Sequence, residues 1–324
     1  MDDHRGDSFL MLSDETLAGL GVPVAAIVDA VEAAIRSEAA GKIWTAPKSA
    51  VLPGDGRYMM STLSTSDDPD MTVVKSVMVS PRNPERGLPG VEGNIILQDS
   101  ETGQLRAGMQ AGWVTAVRTA GLSAVVARKM ADPKSKTIAF IGCGVQARSH
   151  LEMFAELFPL KEIRAYGRGQ ANIDRLCRMA EEHGMATKVC DTPRETLEGA
   201  DLVVSSVTFT FDREPFVDAR WLPKGAFATI TDIAAPWVTD GMAAFGAVII
   251  DDQEQERVSQ KKMVDPGLVR GDLRGLIADD ADIAFDPEKR SAFIFRGLAI
   301  GDFAIASLAY ERACAAAKGT SVRW

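Results

Sequence analysis

"KTIAFIGCGVQARSHLEMF", residues 136–154, decides the fold. An apolar, β-branched run (136–141) meets Gly142-Cys143-Gly144-Val145-Gln146-Ala147 and passes directly into a helical pattern. A strand that turns on glycines into a helix is the phosphate-cradling start of a βαβ unit. Gly142 permits the tight turn, Gly144 lets a pyrophosphate approach the backbone, and Ala147 is small enough for helix and strand to pack. The helix N-terminus adds N–H donors and the positive end of its dipole. Two glycines alone fit any tight βα turn, but this turn directly follows a strand and directly opens a helix. A dinucleotide is therefore expected against Gly142, Cys143, Gly144, Val145 and Gln146, with Ser206 at the end of a later strand as a further contact.

Downstream the same rhythm continues. "EIRAYG" (162–167), "ATKVC" (186–190), "DLVVSSV" (201–207), "AFATITDI" (226–233) and "AVIIDD" (247–252) read as strands alternating with helices. That series predicts an α/β fold with a Rossmann-type, doubly wound parallel sheet. Upstream, "SDETLAGLGVPVAAIVDAVEAAIRSEAAGK" (13–42) reads as a capped short helix and a longer one. "KSAVLP", "YMMSTLS", "MTVVKSVMVS" and "EGNIILQDSETGQLRAGM" are short β runs, and "DSETGQ" in the last is a hairpin turn, so an antiparallel region is expected there. Residues 115–131 turn helical, and 299–318 form one apolar-faced helix. With no linker or repeat in view, two domains that exchange connections are expected.

Bulk composition narrows the function. The 324 residues carry 36 Lys+Arg against 45 Asp+Glu, a net charge of -9, which argues against a nucleic-acid surface. Four cysteines without a CxxC pair and three scattered histidines support neither a zinc site nor a disulfide framework, so no metal is expected. The N-terminus "MDDHRGDSFLMLSDETL" lacks a signal pattern and no apolar run is long enough to span a membrane. A cytoplasmic protein is expected.

Cofactor choice should be written where the second strand ends, at "AYGRGQ". An acid that would bind both ribose hydroxyls is missing at Gly167, and Arg168 offers a guanidinium suited to a 2′-phosphate. Arg168 can equally stack on adenine. The cofactor is read as NAD(P)H, leaning toward NADP(H).

Four stretches together resemble the ornithine cyclodeaminase/mu-crystallin family. They are "VVKSVMVSPRNPERGLPGVEGNIILQDSETG", "WVTAVRTAGLSA", "IGCGVQARSH" with its Gln after the second glycine, and "RGLAIGDFAIASLAYERA". The resemblance covers nearly the whole chain. It implies a homodimer with a mixed α/β substrate-binding and dimerisation domain, residues 1–118 with 300–324, and an NAD(P)-binding domain, residues 119–299. Members act on α-amino or α-imino acids by reduction, oxidation or deaminating cyclisation, and mu-crystallin-like members also bind small ligands.

The resemblance places Arg118 at the substrate carboxylate, which a bidentate guanidinium suits. Thr119, read at a helix N-terminus, resembles a phosphate or carboxylate contact. Lys75, on a strand with Val73, Val74 and Val77, matches the family's active-site lysine; a lysine on such a strand either snorkels or serves chemistry. Lys48 sits where many members have a second carboxylate-binding Arg, and a surface lysine is its plainer reading. Gly297 resembles the glycine near the nicotinamide, and Asp302 the acid that follows it. The acid that cyclodeaminases use is replaced by Ala234; Asp232, two residues earlier, is either a displaced catalytic acid or a structural cap.

These parts favour NAD(P)H-dependent reduction of an α-imino acid to an L-amino acid, with Arg118 orienting and Lys75 as acid/base. Cations at Lys48, Arg57 and Arg82 favour an acyclic, dicarboxylic imine such as iminosuccinate. The alternatives are an ornithine cyclodeaminase-type lyase using Asp232, an alanine dehydrogenase or cyclic imine reductase, and a mu-crystallin-like ligand-binding protein.

Overall fold

The computed structural model describes residues 8–208, 214–278 and 283–323. Residues 1–7, the start of the segment read above for a targeting signal, lie outside the described residues. The chain opens with β1 (Ser8–Leu12), α1 (Asp14–Ala18), α2 (Val24–Ala39), β2 (Ile43–Thr45) and β3 (Ser49–Val51). The strands β4 (Tyr58–Asp67), β5 (Asp70–Val79), β6 (Val91–Gln98) and β7 (Leu105–Gln110) lead into α3 (Ala111–Met130). Next come β8 (Thr137–Ile141), α4 (Val145–Leu157), β9 (Glu162–Tyr166), α5 (Gln170–Glu182), β10 (Ala186–Val189) and α6 (Pro193–Leu197). Then follow β11 (Leu202–Ser205), β12 (Phe227–Ile230), β13 (Phe245–Ile250), α7 (Gln253–Val258), β14 (Val269–Asp272) and α8 (Leu273–Ala278). The chain closes with β15 (Arg290–Ile294), α9 (Ala299–Ala315) and β16 (Thr320–Arg323). Contacts divide the chain into two compact units: residues through Arg118 together with those from Leu298 on, and Thr119–Gly297.

The first unit holds a sheet in the order β16-β1-β7-β6-β5-β4-β2, with β3 also on β4. The β4 to β7 meander is antiparallel, as the hairpin turn requires, but β1 joins β7 in parallel. The region expected to be antiparallel, β3 to β7, is antiparallel throughout, and the addition of β1 makes the sheet as a whole mixed. A parallel pair needs a long crossover, and the chain between β1 and β7 supplies it. Strand alternation turns Met71, Val73, Lys75 and Val77 of β5 to the buried face. Helix α9 packs against β4 and β5, and α2, which buries Ile27, Val28, Val31 and Ile35, packs along α9.

Helix α3 starts at Ala111, four residues before the expected 115. Asp14 Oδ1 accepts the Trp113 amide at 2.7 Å, and the Gln110 side chain accepts the Asp14 amide at 2.8 Å. The cap thus comes from α1, almost a hundred residues upstream, and no local pattern announces it. Arg118 and Thr119 consequently lie in mid-helix, which corrects the N-terminal placement of Thr119.

The second unit is built on a parallel sheet in the order β10-β9-β8-β11-β12-β15-β13-β14. Both faces are covered, so its strands read as continuous apolar runs; Ile138, Ala139, Phe140 and Ile141 of β8 are fully buried. The doubly wound expectation holds. Two strands were missing from it: β14, "VRGD", which pairs with β13 at the sheet edge, and β15, "RSAFI", which inserts between β12 and β13. Strand order reverses between β8 and β11, and ligands of such sheets bind outside the strands' carboxyl ends at that point.

Candidate active site

In the first unit, three charged side chains meet under α9. Lys75 reaches the buried face from the middle of β5, opposite Thr62 of β4 and Ile95 of β6. Its Nζ donates to Asp302 Oδ1 at 2.6 Å, and Lys75 is only 1% exposed. Arg118 Nε lies 3.2 Å from the same oxygen, while Thr62 Oγ1 donates to Asp302 Oδ2 at 2.9 Å. Asp302 sits in the first turn of α9, where the helix dipole favours an anion. Lys75 and Arg118 hold its carboxyl below the usual range despite its burial.

The cluster is short of negative charge. Two buried cations share one carboxylate, and Lys48, half-buried just before β3, adds to the positive field at Lys75. Burial, opposed by Asp302 and reinforced by Arg118, pulls the Lys75 pKa down to about 8. Above about pH 8 the unfolded chain keeps a proton that the folded chain releases, so stability rises with pH up to the ordinary value of 10.5. Holding this ammonium charged at neutral pH costs the fold roughly 3 kcal/mol. Arg118 Nε and Nη1 are buried without a hydrogen bond, and Ser64 Oγ, two positions beyond Thr62 on the same face of β4, is likewise unpaired. A planar anion would satisfy the guanidinium. Arg57, by contrast, is spent at the surface on Asp55, with Nε 2.8 Å from Oδ2.

The second unit carries the glycine turn as expected. Gly142 has φ 93°, and a Cβ there would meet the Ser206 carbonyl oxygen at 2.7 Å. Only glycine allows the β8 and β11 ends to approach so closely. Ser206 Oγ donates back to the Gly142 carbonyl at 3.3 Å. Gly144, the N-cap of α4, offers no side-chain cap, and the space a Cβ would take is open. Val145 is exposed, Gln146 Oε1 is buried without a partner, and burial pushes the Cys143 thiol up to about 12. Uncapped helix amides beside open space and a glycine-only approach fit a pyrophosphate. Arg168 is exposed at the end of the turn that follows β9. Gly297, with φ 96°, donates its amide to Asp251 Oδ2 at 2.9 Å, which also accepts the Arg296 amide at 2.8 Å.

Asp232 is buried at the end of β12. Its Oδ2 accepts the Ser205 hydroxyl at 2.6 Å and the Val207 amide at 3.0 Å, and Trp237 Nε1 donates to Ser205 Oγ at 3.0 Å. Burial raises its carboxyl to about 6, against those hydrogen bonds. The carboxyl therefore ties the ends of β11 and β12 together, and Ile233 and Ala234 follow it at φ 53° and 57°.

Sequence reasoning left His150 without a role. It is fully buried and stays neutral, its pKa lowered to about 4 by burial. Nδ1–H donates to the Gln146 carbonyl at 2.7 Å, which leaves Nε2 to accept the Ser123 hydroxyl at 2.8 Å. Thr229 Oγ1 then donates to Ser123 Oγ at 2.8 Å. This chain fixes the first turn of α4 to α3 and β12; the signal was the His at the end of "QARSH". Among the described residues no group of His, Cys, Asp or Glu is arranged to hold a metal ion, and no helix is long and apolar enough to cross a membrane.

The sequence profile of the ornithine cyclodeaminase/mu-crystallin family matches residues 11–317. The chain belongs to this family. Among relatives in it, ketimine reductase mu-crystallin of Rattus norvegicus is 28% identical over 75% of this chain and 76% of its own. The solved structure of Thermococcus litoralis Δ1-pyrroline-2-carboxylate reductase in complex with NADH and L-proline superposes with a TM-score of 0.88, at 26% identity, over 97% of this chain and all of that one. An archaeal alanine dehydrogenase dimer with bound NAD gives a TM-score of 0.86, at 26% identity, over 98% and 99% of the two chains.

The charge balance at Asp302 has a direct consequence. Replacing Asp302→Asn leaves Lys75 and Arg118 buried without their anion, and urea denaturation at neutral pH should show a loss of about 3–5 kcal/mol. A loss under about 1 kcal/mol would mean that the carboxylate does not balance the two cations.

Proposed function

We propose that this protein is an NAD(P)-dependent oxidoreductase that reduces the C=N bond of an α-imino acid to an L-amino acid. The observation that carries the reading is the buried cluster in which Lys75 and Arg118 share Asp302 while Arg118 keeps unused donors. Arg118 is assigned to the substrate carboxylate, whose two oxygens match the guanidinium fork. Lys75 is assigned as the acid: a pKa near 8 keeps it protonated at neutral pH yet able to give its proton to the developing amine nitrogen. Asp302 holds Lys75 in place and keeps it cationic until the proton moves. A nicotinamide cofactor, when bound, supplies the hydride to the imine carbon. The turn Gly142, Cys143, Gly144, Val145 and Gln146, with Ser206 beside it, would hold its pyrophosphate; Gly297 is assigned to its nicotinamide half, Thr119 to a phosphate or carboxylate contact, and Arg168 to its adenosine half.

Within this class we favour an acyclic dicarboxylic imine such as iminosuccinate. With Arg57 tied to Asp55 and Arg82 exposed, the support narrows to Lys48, whose charge is felt at Lys75. Asp232 is assigned to bracing β11 and β12, because its Oδ2 is committed to Ser205 and Val207. Asp232 Oδ1 is buried without a hydrogen bond, so the cyclodeaminase alternative, which needs this carboxyl for chemistry, keeps a candidate acid.

The first unit is also assigned to self-association. Met11, Gly108, Ile96, Val74 and Leu63 stand opposite one another in register across β1, β7, β6, β5 and β4. Met11, Ile96 and Leu63 are each 45–46% exposed, an apolar row on the face away from α9. A second copy of the chain would cover it, and the alanine dehydrogenase relative is a dimer.

Absorbance at the nicotinamide band tests the chemistry. Reduced cofactor should be consumed with oxaloacetate plus ammonia, pyruvate plus ammonia or a preformed cyclic imine, and Arg118→Met should raise KM for the acid about a hundredfold or more. Lys48→Met should slow the oxaloacetate reaction more than the pyruvate one. No consumption with any of the three contradicts the reductase, and ammonia released from ornithine without net cofactor turnover would install the lyase. Sedimentation velocity should show a dimer that Ile96→Lys dissociates; a monomeric wild type would contradict the self-association assignment.

A further inference from the structure

We infer that Lys75 condenses with an α-keto acid and passes it to ammonia, so that the protein makes its acyclic imine in the site that reduces it. The inference rests on the reading of Arg118 as the carboxylate anchor and adds a covalent step before reduction.

An acyclic α-imine hydrolyses in water, and at neutral pH only a small share of a keto acid and ammonia stands as the imine. A site that condenses the two does not depend on that share. Condensation needs an amine with a free lone pair, a grip on the keto acid's carboxylate, a group that moves protons from nitrogen to oxygen, and shelter from water.

The first unit brings all four to one point. Lys75 is buried, with Val73 and Val77 beside it on the same face of β5 and Ile95 opposite on β6, all three buried as well. Burial, opposed by Asp302 and aided by the Arg118 charge, lowers its pKa to about 8. Roughly a tenth of such a lysine is free amine at neutral pH, a few hundred times the share in an ordinary one. Desolvation and a neighbouring cation are the means by which Schiff-base lysines are activated. Lys75 Nζ and Arg118 Nε meet the same oxygen, Asp302 Oδ1, at 2.6 and 3.2 Å. A keto acid whose carboxylate takes the unused Arg118 donors therefore brings its C2, one bond from that carboxylate, to the lysine. Thr62 Oγ1 donates to Asp302 Oδ2 at 2.9 Å, which leaves Oδ1 turned to Nζ as the proton relay.

The steps balance without an oxidant or reductant. Nζ gives a proton to Asp302 Oδ1 and forms a C–N bond to the keto carbon. That proton and a second from Nζ go to the keto oxygen, whose bond to carbon breaks as water leaves. An iminium with one N–H remains on Lys75, and the net charge is unchanged. Ammonia then adds to the same carbon and the C–Nζ bond breaks. The substrate now carries the ammonia nitrogen as its iminium, and Lys75 is a neutral amine. One proton returns from that iminium to Nζ, which restores the ammonium assigned above as the acid.

Reductive trapping reads the adduct directly. The wild-type protein, with neither nucleotide nor ammonia added, is treated with cyanoborohydride and either pyruvate or oxaloacetate. Peptide mass spectrometry should show Lys75 heavier by the keto acid less one oxygen. Its labelling should exceed that of the exposed Lys134 and Lys224 at least about tenfold. Butanone, a ketone without a carboxylate, should label Lys75 no more than those two, and Arg118→Met should abolish the pyruvate preference. Labelling of Lys75 by pyruvate and oxaloacetate no greater than that of the exposed lysines would overturn the inference. If that same protein oxidises reduced cofactor with a preformed cyclic imine, the reductase reading stands without it. Equal labelling by butanone would overturn the carboxylate-anchored capture. A selective adduct on Lys75 in a protein that reduces no imine would support the capture and contradict the reductase reading.

Discussion

A single buried carboxylate, Asp302, organises the chemistry proposed for this protein. It holds Lys75 at 2.6 Å and Arg118 at 3.2 Å in a place where neither cation is solvated. Removing two charges from water is expensive, and one carboxylate only partly offsets it. The remaining positive charge and the unused Arg118 donors define what the site lacks, namely an anion with two coplanar oxygens. The low Lys75 pKa follows from the same deficit, since burial opposes its charge more strongly than Asp302 supports it. The substrate orientation and proton supply proposed for Arg118 and Lys75 thus trace to one electrostatic arrangement.

The second unit meets a different constraint. At Gly142 the backbone must pass so close to the Ser206 carbonyl that no side chain fits, and this leaves the first turn of α4 open. The neutral His150, bonded to Gln146, Ser123 and through it to Thr229, then keeps that turn in place. The fold leaves the start of α4 without a side-chain cap and spends buried hydrogen bonds on holding it still, as the proposed phosphate contact requires. A family whose named relatives include a ketimine reductase and an NAD-bound dehydrogenase is consistent with such a division of labour.

What could be read from the sequence was local. The β8–Gly142–α4 transition, the hairpin around "DSETGQ", and Lys75 among the valines of β5 each announce themselves within about twenty residues. What escaped was set by distant partners. The start of α3 is fixed by Asp14, 99 positions before Trp113, and Lys75 meets Asp302 across 227 positions. β15 was hidden because a short apolar strand buried on both faces shows no alternation, and its place between β12 and β13 depends on the whole sheet. Arg57 was counted among the pocket cations because sequence gives charge without direction; its partner is the Asp55 two residues away.

The most direct measurement is the titration of Lys75 itself, followed by NMR on protein with isotope-labelled lysine, with and without a saturating unreactive α-carboxylate ligand. The account predicts a midpoint near pH 8 in the free protein. It predicts an upward shift when the ligand's carboxylate supplies the missing negative charge. A midpoint at the ordinary lysine value, or one that the ligand leaves unmoved, would contradict the claim that this buried cluster is completed by a substrate carboxylate.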